Sequence, residues 1–361
     1  MVLVAGALGE RADVVRWRGS AVISAAMTKG RVAWLVVGLA TALLAAPARA
    51  EDMPPQTVAS TQQIQKLVET WGQFFQKADS LRDRRQAFED LMESTPEPSR
   101  VQIRSVDAGG IDAQLIWPAR LHHPLGRRAI LYVHGGGFYS GSLRTHRAIA
   151  GALAKAASAD VLLIDYRLAP DNPYPAQVDD TLAAYRWLLD SGYEADNIVL
   201  VGESVGGNLA IEATLRQMRV REPLPAAVVA MSPISDLAAT GASLTANAAT
   251  DPLIDAVQLD LIRKAYLGTR SPRDPMVSPL YADLTGFPPL LLQVGAGEAL
   301  LDDSRRLADK ARAAGVDVEI EIWPGMIHQW QIFPFWLDGA RQSNQRVADY
   351  AIRHFADKPQ P

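Results

Sequence analysis

Across residues 60–93 apolar side chains recur at spacings of three and four: Ile64, Leu67, Val68, Trp71, Phe74 and Phe75 share one face, and no β-like run interrupts them. This predicts helices over 60–93, ended by Pro96 and Pro98. The pattern then changes. Val101–Val106 and Ala113–Trp117 read as a strand pair around Gly109-Gly110. Ala129–His134, Val161–Tyr166, Ile198–Gly202, Ala226–Ser232, Leu290–Val294 and Val318–Trp323 are short, mostly apolar runs, as expected of strands covered on both faces. Helix-like stretches lie between most of them: His146–Ala157, Val178–Leu189, Asn208–Arg221 and Asp303–Ala314, with a last one over Ala340–Phe355. Strands alternating with helices predict an α/β fold built on a mostly parallel sheet.

The alternation fails once. About 58 residues separate Ser232 from Leu290, and "VQLDLIRKAYLG" inside them has helical spacing. A structureless loop of that length does not suit a compact domain. The interval 233–288 is therefore expected to be an insertion that packs with the helices of 51–98 as a cap over the carboxyl ends of the strands, where ligands bind in such sheets.

The amino terminus reads differently. From Met27, a basic flank (Lys29, Arg31) precedes the uncharged run Val32–Ala46, then Ala48-Arg49-Ala50 and Glu51. This is the layout of a secretory signal with its cleavage site. The run of about 15 residues falls short of the ~20 that cross a bilayer. The expectation is translation from Met27, cleavage before Glu51 and a periplasmic or secreted protein; an uncleaved anchor is the alternative. The catalytic region is then 99–361.

Composition narrows the chemistry. The chain has 361 residues, 48% hydrophobic and 21% charged, with net charge −4, so no basic surface for nucleic acid is expected. It has no cysteine, which excludes disulfides, thiolate metal sites and thiol nucleophiles. No metal-ligand cluster is visible along the chain, and no cofactor is expected.

Gly202-Glu203-Ser204-Val205-Gly206 fits G-x-S-x-G between a clear strand and a clear helix. A sharp strand-to-helix turn lifts a serine hydroxyl above the sheet edge, and the following helix start points free N–H groups at it. Ser204 is the candidate nucleophile, and such a hydroxyl needs a base. Of six histidines, His122, His123, His146 and His354 read as surface or packing residues. His328 follows a strand and the Pro324-Gly325 turn, on the same sheet edge as Ser204. The acid that orients it should come between Ser204 and His328 in sequence, after a strand. Glu298, in the loop of "VGAGEALLDDS", is favoured; Asp302 is the alternative, although it and Asp303 adjoin a helix start that wants carboxylates.

"HGGGF" (134–138), "DYRLAPDNPYP", "GESVGG", "EALLDDS" and "MIHQW" occur in an order that resembles the hormone-sensitive-lipase-like esterases of the α/β-hydrolase superfamily. The resemblance covers about Val101 to Phe355. It implies an α/β-hydrolase fold with a helical cap and a triad of Ser204, Glu298 and His328. It implies an oxyanion hole of the Gly136, Gly137 and Val205 N–H groups, and supporting roles for Asp165, Tyr166 and Arg167. Glu203 and Val205 depart from the usual elbow, and the bulk of Val205 is expected to narrow the cleft. The implied activity is hydrolysis of small-molecule carboxylic esters with short to medium acyl chains. A lactone hydrolase or a deacetylase is the alternative; a non-catalytic ligand binder is disfavoured because His328 is present. No stable membrane insertion is expected after signal cleavage, and a homodimer is left open.

Overall fold

The computed structural model describes residues 24–28, 31–35, 61–75, 78–120 and 127–356. The chain divides into two units, Met1–Ala48 and Arg49–Pro361. In the first, β1 (Ser24–Thr28) and β2 (Arg31–Leu35) pair antiparallel. The rest of the apolar run and Ala48-Arg49-Ala50 lie outside the described residues.

The second unit carries an eight-stranded sheet. Its strands are β3 (Val101–Asp107), β4 (Asp112–Pro118), β5 (Ala129–Val133), β6 (Asp160–Ile164), β7 (Ile198–Glu203), β8 (Ala227–Met231), β9 (Leu290–Gly295) and β10 (Val318–Trp323). The order across the sheet is β10-β9-β8-β7-β5-β6-β4-β3. Six strands run parallel, while β4 lies antiparallel to both β6 and β3. Every residue of β5 to β9 is buried, whereas the edge strand β3 is largely exposed.

The pleat divides these apolar runs between two cores. Ala129, Leu131 and Val133 of β5 face one; Ile130 and Tyr132 face the other. The first core is closed by α4 (Ala176–Asp190), α5 (Val205–Val220) and α8 (Leu301–Ala313). The second is closed by α3 (Leu143–Ala157), α9 (Asp338–His354) and the amino-terminal helices α1 (Thr61–Phe75) and α2 (Leu81–Glu93). A sheet covered on both faces explains why its strands read as continuous apolar runs and not as alternation.

Local chemistry sets the element ends. The helical periodicity of 60–93 resolves into two helices, because Ser80 caps α2 in a reciprocal capping box with Asp83. Helix α3 starts at Leu143, three residues before the expected His146, because Ser142 and Thr145 form a second capping box. Strand β5 stops at Val133, so His134 begins the glycine loop. The long interval holds the short helix α6 (Ser243–Ala246) and α7 (Ala256–Tyr266), the latter capped by Asp255. Gln258 of α7 accepts a hydrogen bond from Arg84 of α2 at 3.1 Å, so the insertion meets the amino-terminal helices. Among the described residues no helix is long and apolar enough to cross a membrane.

Candidate active site

The turn from β7 into α5 places Ser204 at φ 55°, ψ −120°, a backbone region that a side chain occupies only under constraint. The constraint is local. Ser204 N–H donates to Met231 O of the adjacent strand at 2.8 Å. A Cβ on Gly202 would strike Gly206 O, and one on Gly206 would strike Val133 O, so only glycine lets the turn close. Ser204 is the residue immediately before α5, whose first N–H groups have no partner within the helix.

His328 sits in the loop after β10, between Gly325 and a 3₁₀ turn at Trp330–Ile332. Its Nε2 lies 2.9 Å from Ser204 Oγ and its Nδ1 lies 3.0 Å from Glu298 Oε2. Ser204, His328 and Glu298 are 3%, 2% and 0% exposed, so the chain of contacts is almost dry. Glu298 does not depend on His328 alone: its Oε1 accepts from Ser232 Oγ at 2.8 Å and from Gly295 N–H at 2.6 Å. Burial raises the Glu298 carboxyl above its usual range, and the hydrogen bond and charge of His328 oppose that rise. Asp302, the alternative acid, points elsewhere: it accepts from Ser243 N–H at 2.9 Å. Its neighbour Asp303 accepts from Ser235 and Asp236 N–H at 2.8 and 2.9 Å.

Gly136 (φ +108°) and Gly137 (φ +64°) line the same cavity as Ser204 and His328. A Cβ at Gly137 would lie 2.6 Å from the Tyr139 ring, and one at Gly136 would strike Ser140 O. Both positions therefore need glycine for conformation as well as for access. Val205 corrects an expectation. Its side chain is fully buried in the core behind the turn and is not part of the cavity wall, so its bulk does not narrow the cleft.

A buried layer beneath the glycine loop was not legible from sequence. Glu203, fully buried, accepts from Gly135 N–H and, at 2.5 Å, from Tyr132 OH. His146, read as a surface or packing residue, is fully buried, with Nε2 2.9 Å from Glu203 Oε1, an ion-pair distance without hydrogen-bond alignment. Thr145 Oγ1 holds the other ring nitrogen at 2.8 Å. His134 stacks between His146 and Tyr166, and burial, with help from His146, pushes its pKa down to about 3, so it is neutral. Tyr166 OH donates to His134 O at 2.8 Å, and Arg167 forms a bidentate pair with Asp180 of α4. Burial raises the Asp165 carboxyl to about 6. The one sequence signal for this layer was an acidic residue in a buried turn, which must have partners. His122 and His123 lie outside the described residues, and His354 caps the end of α9 through Tyr350 O.

Comparison with known proteins agrees with this architecture. Residues 130–332 match the family model of the alpha/beta hydrolase fold. An acetyl-hydrolase of Streptomyces hygroscopicus is 43% identical over 237 residues, covering 65% of this chain and 78% of that protein. An esterase of Acinetobacter venetianus is 38% identical over 268 residues, covering 74% and 87%. A crystal structure of an esterase from the bacterial hormone-sensitive lipase family superposes with a TM-score of 0.78 at 39% identity, covering 84% of this chain and 100% of that one. With a sheet, an elbow and a glycine loop of this form, the chain belongs to the α/β-hydrolase family, among its hormone-sensitive-lipase-like esterases.

Proposed function

We propose that the protein hydrolyses carboxylic esters of short to medium acyl chains through a Ser204–His328–Glu298 triad and an acyl-enzyme. The observation that carries this reading is the continuous contact from Ser204 Oγ through the two imidazole nitrogens to Glu298, at 2.9 and 3.0 Å, opening onto the cavity that Gly136 and Gly137 line.

His328 Nε2 takes the Ser204 proton as Oγ attacks the ester carbonyl carbon. The carbonyl oxygen becomes an oxyanion against the N–H groups of Gly136, Gly137 and Val205. Collapse expels the alcohol oxygen, which receives that proton from His328, and leaves an acyl group on Oγ. Water then gives its proton to Nε2 and attacks the acyl carbon; the second collapse returns the proton to Ser204 and frees the acid. Glu298 holds Nδ1–H throughout and stabilises the imidazolium in each step. Donors fixed before charge develops act where they matter most, and losing one costs roughly 10²–10³ in rate.

The test is turnover of p-nitrophenyl acetate and butyrate by wild type and by Ser204→Ala. Hydrolysis by the first and none by the second is expected; a folded wild type inert across acyl lengths rejects the reading. A deacetylase is the second reading, favoured by the relative named an acetyl-hydrolase. For export we propose removal of Met27–Ala50, supported by Lys29, Arg31, the apolar run and Ala48-Arg49-Ala50. Mass analysis of exported protein should find Glu51 first; a retained Met27 rejects cleavage.

A further inference from the structure

The glycine loop is held on its amino side by Glu203, which accepts from Gly135 N–H. Its carboxyl side is held from outside the sheet, by Arg85 of α2. Helix α2 is seated on Ala87, Phe88, Leu91 and Met92, all buried. From that seat Arg85 reaches two carbonyls: Nε donates to Tyr139 O, and Nη2 donates to Ala169 O at 2.6 Å. Nη1 and Nη2 also meet Asp171 Oδ2, each at 3.0 Å. The Asp171 side chain is 70% exposed, so this ion pair contributes little energy and serves to aim the planar fork. Tyr139 and Ala169 are buried, where a carbonyl that loses its donor is costly.

The grip on Tyr139 continues into the loop through aligned peptide groups. The peptide that carries Tyr139 O also carries Ser140 N–H, which donates to Gly136 O at 2.9 Å. The peptide that carries Gly136 O also carries Gly137 N–H, one of the donors assigned to the oxyanion. Ser140 Oγ and Tyr139 N–H reinforce the same acceptor at 2.7 and 3.2 Å. Arg85, the 139–140 peptide and the 136–137 peptide thus form a head-to-tail series. It begins at a positive charge and ends at Gly137 N–H, and each bond in such a series polarises the next. A further tie keeps the two gripped segments together: Ala169 N–H donates to Phe138 O at 2.9 Å.

Resting on the hydrolase reading above, we infer that Arg85 is a positioning residue for the reaction, one that fixes the direction of Gly137 N–H through the 139–140 peptide. Among the described residues that wall the cavity over Ser204, Arg84 is one and Arg85 is not, so Arg85 acts without touching substrate. One turn further along α2, Glu89 pairs with Arg144 of α3 at 2.8 Å. That pair fastens the same helix to the rest of the enzyme, but at α3 and not at the glycine loop.

The test compares wild type, Arg85→Ala and Arg144→Ala on p-nitrophenyl acetate. It also measures inhibition by a trifluoromethyl ketone, whose tetrahedral adduct on Ser204 sets an oxyanion against the same donors. Arg85→Ala should lose roughly 10- to 100-fold in kcat with KM within about threefold, because a misdirected donor acts on the transition state. The Ki of the ketone should rise by a similar factor. Arg144→Ala, which breaks a partly exposed ion pair, should stay within about threefold of wild type in kcat and Ki. Wild-type kcat in Arg85→Ala, a fall in kcat with Ki unchanged, or an equal loss in Arg144→Ala overturns the inference; the last would make docking of α2 in general the cause. Arg85→Lys keeps the charge beside Asp171 without a fork to span two carbonyls, and it is read in place of Arg85→Ala if that variant does not fold. A loss of roughly tenfold in kcat with Ki in step then supports the role, and wild-type values overturn it. Folded wild type inert toward the ester refutes the hydrolase reading and this inference with it, whereas active wild type matched by the Arg85 variant refutes the positioning role alone.

Discussion

Glu203 and Gly135 are joined by a hydrogen bond, so the residue before Ser204 is anchored to the residue before Gly136 and Gly137. The two halves of the site, separated by a strand, a helix and another strand-helix connection in sequence, share one buried carboxylate. Glu203→Ala should therefore lower kcat about 10²-fold with little change in KM, because a displacement of the donors by an ångström acts on the transition state. Glu203→Gln keeps an acceptor for Gly135 N–H and should recover part of the loss. Equal loss in both variants would show that the charge, and not the anchor, is what matters.

Glu298→Gln should reduce kcat about 10⁴-fold, because the amide no longer fixes the imidazole tautomer. Asp302→Asn, which affects the Ser243 contact, should stay within a few-fold of wild type and cost at most ~1 kcal/mol of stability. Steady-state kinetics of the two variants side by side decides this; the opposite ranking would make Asp302 the acid.

Gly137→Val should abolish turnover while Ser204 and the sheet stay in place. At φ +64° a branched side chain costs about 1–3 kcal/mol in backbone strain, and its Cβ would press on the Tyr139 ring. Circular dichroism should report a native fold with Tm lowered by some degrees. Full activity in this variant would dismiss the loop as an oxyanion site.

Asp303 confers a pH dependence on stability. Burial is the main cause that pushes its carboxyl up to about 7, against 3.8 for the free group; the N–H groups of Asp236 and Ser235 act the other way. The folded protein therefore holds this proton more tightly than the unfolded chain does. Asp303 favours folding most at low pH, and that contribution is lost as pH rises from about 4 to about 7, with a slope of at most roughly 1.4 kcal/mol per pH unit. Asp303→Asn, which can still accept from Ser235 and Asp236, should flatten the denaturation profile across that window relative to wild type. Identical slopes in urea titrations would remove Asp303 as the source.

Much of this architecture could be read from the chain because its signals are local. The apolar runs marked β5 to β10 within a residue or two, since strands covered by helices on both faces demand hydrophobicity, while the Gly109-Gly110 turn marked the β3–β4 pair. Gly202, Ser204 and Gly206 marked the elbow because only that residue pattern closes the turn. What sequence missed depends on distant partners. His146 looked ordinary because its partner Glu203 lies at the end of β7, with β6 and α4 between their elements. The direction of the Val205 side chain is set by the angle at which α5 meets the sheet, which periodicity does not encode. Helix starts at Leu143 and Ala176 were missed because capping residues and turn geometry, not hydrophobic spacing, define them.

The roof over Ser204 is held in two different ways. Loop 247–251 is pinned by hydrogen bonds to residues 296–299, the loop that carries Glu298. Helix α1 sets the ring of Trp71 against Phe88 and Phe333. One border of the entrance is thus fastened by hydrogen bonds and another by ring packing.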